Sequence, residues 1–250
     1  MKTRSIAQKI IAALLLGMSI IPAVGTIAAD QDNPSISVTA DTLNFDGKTY
    51  VATATGNVII TRGEATMTGN KAVYNLKSAE ADMEGNVSVH QPDLQMTAQK
   101  LHSTDKNYVV ATGDVAGTYQ DKKMSGDKIE YHLDQNYGII TGKGYLEAQG
   151  SRMWADLIQG WFKEIRAVGT GNVHIESPAD NLVAYGNEAI YTQTPNQHDG
   201  VIHLNGNVYA NQNGSSLTGE HVVIQLADNS VQTYNGRSTL VIVPGSTPAK

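Results

Sequence analysis

The sequence has no cysteine, two phenylalanines, two tryptophans and seven prolines in 250 residues. Without cysteine there is no disulfide, no thiolate nucleophile and no thiolate-held metal. There is also no Cys to carry an amino-terminal lipid, so nothing suggests a lipoprotein. An exported chain without disulfides fits a bacterial cell envelope. Basic residues are sparse as well, 18 against 24 acidic ones. Three of the 18, Lys2, Arg4 and Lys9, crowd the amino terminus, which leaves 15 against 24 and a formal charge of -9 in the rest. That balance speaks against a nucleic-acid partner, because phosphate binding leans on clustered Lys and Arg. It also speaks against broad adsorption to an anionic membrane surface.

Long apolar runs are missing except for one, Ile10 to Val24. It is short for a membrane span. It follows the basic residues and precedes the small-residue stretch "AVGTIAAD". This is the layout of a secretory signal peptide, taken here as residues 1–28, with cleavage expected between Gly25 and Asp30. Catalytic signatures are missing too: no G-x-S-x-G, no S-x-x-K that reads as a nucleophile pair, no P-loop and no calcium nonapeptide. The histidines, His90, His102, His132, His174, His198, His203 and His221, are scattered. Only His198 and His203 come close, without a third ligand, so no metal and no cofactor are expected.

What the chain has instead is repetition. The word in "TATGNVIITR" recurs as "DMEGNVSVHQ", "VATGDVAGTY", "AVGTGNVHIE" and "HLNGNVYANQ". Its glycines are Gly56, Gly85, Gly113, Gly171 and Gly206, with degenerate copies at Gly142 ("TGKGYLEA") and Gly236 ("YNGRSTLV"). The steps are 29, 28, 29, 29, 35 and 30 residues. About fifteen residues before each word stands a small residue followed by a polar one: Ala40-Asp41, Gly69-Asn70, Ala98-Gln99, Gly126-Asp127, Ala155-Asp156, Gly186-Asn187 and Gly219-Glu220. Apolar residues follow at steps of two, as in Leu43 and Phe45 or Ile129 and Tyr131, with Ser103 and Gly160 as exceptions. A step of two is the strand period.

Each copy therefore reads as strand, polar turn, strand, with turns such as "DGK", "KSA", "TDK" and "DQN". "WADLIQGWFKEIRAV" could pass for a helix, but it aligns to the repeat without a gap and is assigned to strand. Gly-Asn and Gly-Asp tolerate positive φ, so the word marks a bulge or bend. The odd step from Ala40 to Leu43 requires a change of face, which makes the small-polar pair a second kink. The polar column mixes acids and amides at a regular structural position, as side chains capping bulge amides would. The longest step comes from "TQTPNQHDG", a surface loop marked by Pro195 and Asn196. Trp154 and Trp161 have opposite parity, so one should fill the interior and the other sit on the surface or an edge. One continuous domain is expected from residue 36 to 243, with 244–250 a flexible tail.

Tandem units of the form "ADTLNFD…ATATGNVII" and "GNKAVYN…ADMEGNVSV", behind a signal peptide and without cysteine, resemble the OstA-like (LptA) family of periplasmic lipopolysaccharide-transport proteins. The resemblance covers essentially the whole mature chain. It implies an all-β fold, an elongated, twisted β-jellyroll of stacked antiparallel strands, here from about seven repeats of roughly 29 residues. It implies a groove that holds lipid A acyl chains, no catalysis, and edge-to-edge pairing with OstA-like domains of inner- and outer-membrane components and with further copies of the chain. The lining would be the apolar parity set Leu43, Phe45, Val58, Ile60, Tyr74, Leu101, Ile129, Tyr131, Ile158, Val173 and Ile175. A one-residue slip would turn each of these outward. Two readings compete with a lipid carrier. One is a structural or adhesive β-solenoid of the envelope with a filled core. The other is an enzyme acting on envelope polysaccharide, for which no paired carboxylates stand off the repeat.

Overall fold

Sixteen strands build the described part of the chain, and no α-helix occurs in it. The computed structural model describes residues 36–243 apart from 105–106, 120–121, 133, 149, 162–163, 179–180, 195–198, 226 and 228–229. The expected signal segment, the tail after 243, Pro195, Asn196 and His198 lie outside the described residues. The strands are β1 (Ile36–Thr39), β2 (Thr42–Asp46), β3 (Val51–Arg62), β4 (Ala65–Asn75), β5 (Glu80–Gln91), β6 (Leu94–Thr104), β7 (Tyr108–Tyr119) and β8 (Lys122–His132). They continue as β9 (Tyr137–Ala148), β10 (Ser151–Trp161), β11 (Arg166–Ser177), β12 (Leu182–Thr192), β13 (Val201–Gln212), β14 (Ser215–Gln225), β15 (Ser230–Tyr234) and β16 (Thr239–Val241). Of the helix-like "WADLIQGWFKEIRAV", residues 154–161 belong to β10 and 166–168 to β11, with Glu164 and Ile165 in the turn. This is the all-β, OstA-like jellyroll that the family resemblance implies.

The chain divides into two units. Unit one takes residues up to 120 together with 127–136, and unit two takes 121–126 and the residues from 137 on, so β8 is shared out between them. In unit one the antiparallel order is β1-β3-β4-β5-β6-β7, with β2 also on β3. In unit two it is β9-β10-β11-β12-β13-β14-β15, with β16 also on β14.

The Gly word and the small-polar pair turn out to be one feature. Opposite the two word residues Gly56 and Asn57 stands the single residue Asn70, because Thr55 pairs with Lys71 and Val58 with Gly69. Gly85-Asn86 meets Gln99 and Gly171-Asn172 meets Asn187 in the same way. The sequence suggested two separate kinks per repeat; register places them side by side, on one bulge line. Six words hold both residues at positive φ, from Gly56 (79°) and Asn57 (46°) to Gly206 (73°) and Asn207 (52°). The seventh copy departs: there the positive φ is at Asn235, not Gly236, between β15 and β16. The first strand is broken likewise between β1 and β2, at Ala40 and Asp41.

The bulge also performs the expected change of face. On β6, Leu94, Met96 and Ala98 are buried, and after Gln99 the buried residues become Leu101 and Ser103. On β5 the two left-handed residues leave the parity intact: Ala81, Met83, Val87 and Val89 all face inward. Unit one thus closes over a core centred on Val58, Met83, Val87, Leu101 and Val115. Each such burial stabilises by about 1.5–3 kcal/mol. In unit two Ile158, Val173, Leu204, Val208 and Val222 are the deeply buried set.

Two acids of the polar column partner the word's asparagine side chain. Asn57 Nδ2 donates to Asp41 at 3.0 Å, and Asn172 Nδ2 donates to Asp156 at 2.8 Å. The acids thus receive side-chain amides, where capping of backbone amides was expected. Neither tryptophan fills the core, contrary to the parity argument; both are half-buried. Trp154 stands in an outward row across unit two, Tyr145–Trp154–His174–Tyr185–Tyr209, with successive ring centroids 5.2, 4.7, 4.6 and 6.2 Å apart. Trp161 lies by the β10–β11 turn against Tyr137, with the Arg166 guanidinium 4.2 Å from its ring centroid.

Candidate functional site

Unit one ends in an open apolar cleft. Its strands are β1 to β5, and its volume is about 270 Å³. The lining is Val38, Leu43, Phe45, Ala52, Ala54, Ile60, Met67, Ala72, Tyr74, Ala81 and Met83, with Asn44, Thr53, Val73 and Asp82 at its margin. The cause is topological. Inner-face residues of β3 to β5 are covered by the strands around them. The inner face of β2 is not, because among the described strands β2 pairs only with β3 and is exposed throughout. Leu43 and Phe45 have the inward parity, yet remain 60% and 56% exposed. Two large apolar side chains side by side at a cleft mouth are unusual where no ligand or partner comes to cover them.

Four of the eleven residues expected to line a groove, Leu43, Phe45, Ile60 and Tyr74, come together in this cleft. Val58 and Leu101 lie deeper in the same core and are closed over, as is Tyr131. Ile129 packs half-buried against that core. Ile158 and Val173 are buried within unit two, and Ile175 is half-buried there, opposite Met153 and Ala184. Sequence reasoning passed over Val38, Ala54, Met67, Ala81 and Met83. All have the same parity as the residues that were chosen; alanine and methionine stand out less than Ile and Tyr, although the step of two marks them equally.

Beside the cleft, the outer face of β5 and β6 carries a compact charge cluster. Lys100 Nζ lies 2.8 Å from Glu84 and 3.5 Å from Asp82, and His102 Nδ1 lies 2.9 Å from Asp82. The hydrogen bond from Lys100 holds the Glu84 carboxyl below its usual range, and Glu84 in turn raises Lys100. Inside the cleft, burial pushes the Tyr74 hydroxyl pKa up. Nothing in that lining presents a cation to an anionic ligand, so attraction into the cleft is apolar. Among the described residues no group of three His, Asp or Glu is placed to hold a metal ion.

Strand edges are the second feature. Among the described residues, β2 has no neighbour on its far side in the sheet order of unit one, and β15 and β16 have none beyond them in unit two. The segment from β16 onward exposes Leu240, Val241, Ile242 and Val243. Unpaired edges with apolar side chains are templates for a further strand.

The fold and the site together define an all-β protein of bulged antiparallel strands with an open apolar cleft. The family model described as "LptA/(LptD N-terminal domain) LPS transport protein" matches residues 37–164 and 102–230, which together span well over half of the chain. The chain belongs to that family. It is 28% identical over 142 residues to the lipopolysaccharide export system protein LptA of Escherichia coli K12, covering 52% of this chain and 76% of that protein. The same figures hold for LptA of Shigella flexneri. Among solved structures it is similar to LptH of Pseudomonas aeruginosa, described as the LptA-homologous periplasmic component of the lipopolysaccharide transport device. That likeness has 14% identity over 84% of this chain and 96% of the other, with a TM-score of 0.17, too low to support an argument.

Proposed function

We propose that this protein is a periplasmic lipopolysaccharide carrier. Its cleft shields lipid A acyl chains, and its strand edges pair with OstA-like domains of inner- and outer-membrane components and with further copies of itself. The observation that carries the reading is the pair Leu43 and Phe45, exposed at the mouth of an apolar cleft and continuous with the core. Each methylene of an acyl chain buried there contributes about 0.8 kcal/mol, so binding needs no charge pairing. The deeper members of the proposed lining, Val58, Leu101, Ile129 and Tyr131 in unit one and Ile158, Val173 and Ile175 in unit two, come into contact with the acyl chains only if the strands part to admit them. Membership of a lipopolysaccharide-transport family and the signal-peptide layout support the cargo and the compartment. The competing reading, a filled-core envelope solenoid, draws on the closure around Val87, Val115 and Leu101.

A photo-crosslinking amino acid at Phe45 and, separately, at the outward Ile59 separates the two. Incubation of the folded chain with lipopolysaccharide should give lipid adducts from position 45 and none from 59. Adducts from neither position, or equally from both, would move the assignment to the filled-core solenoid.

A further inference from the structure

One outward column runs across the sheet beside the bulge line, and its residues oppose each other directly. In unit one it reads Thr39, Ile59, Thr68, Ser88, Thr97 and Ala116. In unit two the equivalent repeat positions carry the five rings from Tyr145 to Tyr209, after which Thr218 returns to a small residue. Cross-strand ring pairs stabilise a sheet, and that accounts for the rings alone. It does not account for what stands at the Tyr145 end.

There an open pocket of about 480 Å³ lies within unit two, lined by Ser125, Lys143, Tyr145, Glu147, Arg152 and Trp154. Lys143 occupies the second position of its Gly word. The other five left-handed words hold Asn57, Asn86, Asp114, Asn172 and Asn207 there, residue types that tolerate that backbone. Lys143 keeps φ at 50° without that tolerance. A backbone strained by its residue, at a pocket, points to a use for the side chain. Lys143 is exposed and makes no ion pair among the described residues. Arg152 reaches Glu147 and Glu176 only at 3.5 Å each, and Lys123 holds Glu147 at 3.0 Å. The pocket lining thus holds two cations, Lys143 and Arg152, against one carboxylate, Glu147, which Lys123 also pairs, in a chain whose overall charge is -6.

We propose that this pocket binds an anionic saccharide, a sugar ring bearing phosphate or carboxylate. Lys143 and Arg152 take the anionic group. Ser125 and Glu147 meet ring hydroxyls, and the Tyr145 and Trp154 rings carry the apolar C–H face. The choice of a sugar rests on the carrier reading, because the cargo named for the family has a saccharide part.

The test uses Lys143→Asn, which restores the residue of the other words and keeps the fold. Calorimetric titration of the mature chain with deacylated lipopolysaccharide saccharide that retains its phosphates should show binding. Affinity should fall at least tenfold in Lys143→Asn and for the phosphate-stripped saccharide, while lipid adducts at position 45 persist. Equal affinity in the variant, or inorganic phosphate binding as tightly as the saccharide, overturns the proposal. No saccharide binding while intact lipopolysaccharide still crosslinks at position 45 overturns the proposal alone. Saccharide binding without that crosslink overturns the acyl-chain reading and supports the sugar site.

Discussion

Gly56 lies so close to Asp41 across the strand pair that a Cβ on the glycine would stand 2.2 Å from the carboxylate Oδ2. The same residue has φ at 79°. Two costs therefore meet in Gly56→Ala, a left-handed backbone with a Cβ, about 1–2 kcal/mol, and displacement of the carboxylate that Asn57 holds. Gly150 separates them: its φ is also 79°, but nothing lies within 4 Å of a Cβ there. In urea unfolding, Gly56→Ala should lose about 1 kcal/mol more than Gly150→Ala. Equal losses would mean that the Asp41 side chain moves aside freely.

The bulge line was legible because its chemistry is local. Gly followed by Asn announces positive φ, and the step from Ala98 to Leu101 announces a change of face, whatever the neighbours are. The open cleft was not legible in that way. Parity places Leu43 and Phe45 on the inner face, as it does Val58 and Leu101, but says nothing of what covers them. Coverage depends on standing at the end of the strand order, a property of the assembled sheet. The ring column was hidden for a related reason. Trp154 and His174 belong to different columns of the repeat, one before the small-polar pair and one after the Gly word, and only cross-strand register joins them. Lys143 was visible as a departure from the word, but its meaning needed the pocket beside it.

Tyr108 gives a prediction in alkali. Its hydroxyl donates to Glu130 at 2.5 Å. Burial first, and then that bond, push its pKa up to about 12, against about 10 in the unfolded chain. The folded state therefore holds this proton longer than the unfolded one. The resulting stabilisation is fully present below about pH 10 and is lost as pH rises toward 12. Because the group is only partly buried, solvent screening limits the effect to about 1 kcal/mol. Tyr108→Phe should lower stability at pH 8 and narrow the gap to wild type at pH 12. A gap that stays constant over that range would remove the linkage to Glu130.

Position in the core should order two charge insertions. Ile158 is buried in unit two, whereas Ile129 only packs half-buried against the unit-one core. An aspartate at 158 leaves a charge with no water and no partner, so Ile158→Asp should cost about 4 kcal/mol or more. Ile129→Asp can turn part of its side chain toward solvent and should cost about 1–2 kcal/mol. Thermal unfolding followed by circular dichroism reads the order directly. The reverse order would mean that the face assignment of β8 is wrong.

The carboxy-terminal edge should set assembly. β16 meets the sheet through three paired residues, Ser216 with Val241, Leu217 with Leu240 and Thr218 with Thr239. Leu240 is nevertheless 62% exposed, and Ile242 beyond it 68%. So short a strand contributes little to the fold of unit two, yet it presents an apolar edge on which another strand can continue the ladder. Lysine on an edge strand blocks such pairing, because a buried ammonium would have to be desolvated as the new strand docks. Leu240→Lys should therefore abolish the self-association proposed above, read by sedimentation velocity, while shifting stability by less than about 0.5 kcal/mol. Lipid adducts at position 45 should survive, since the cleft lies in unit one. An unchanged sedimentation profile in a folded variant would move the assembly surface away from β16.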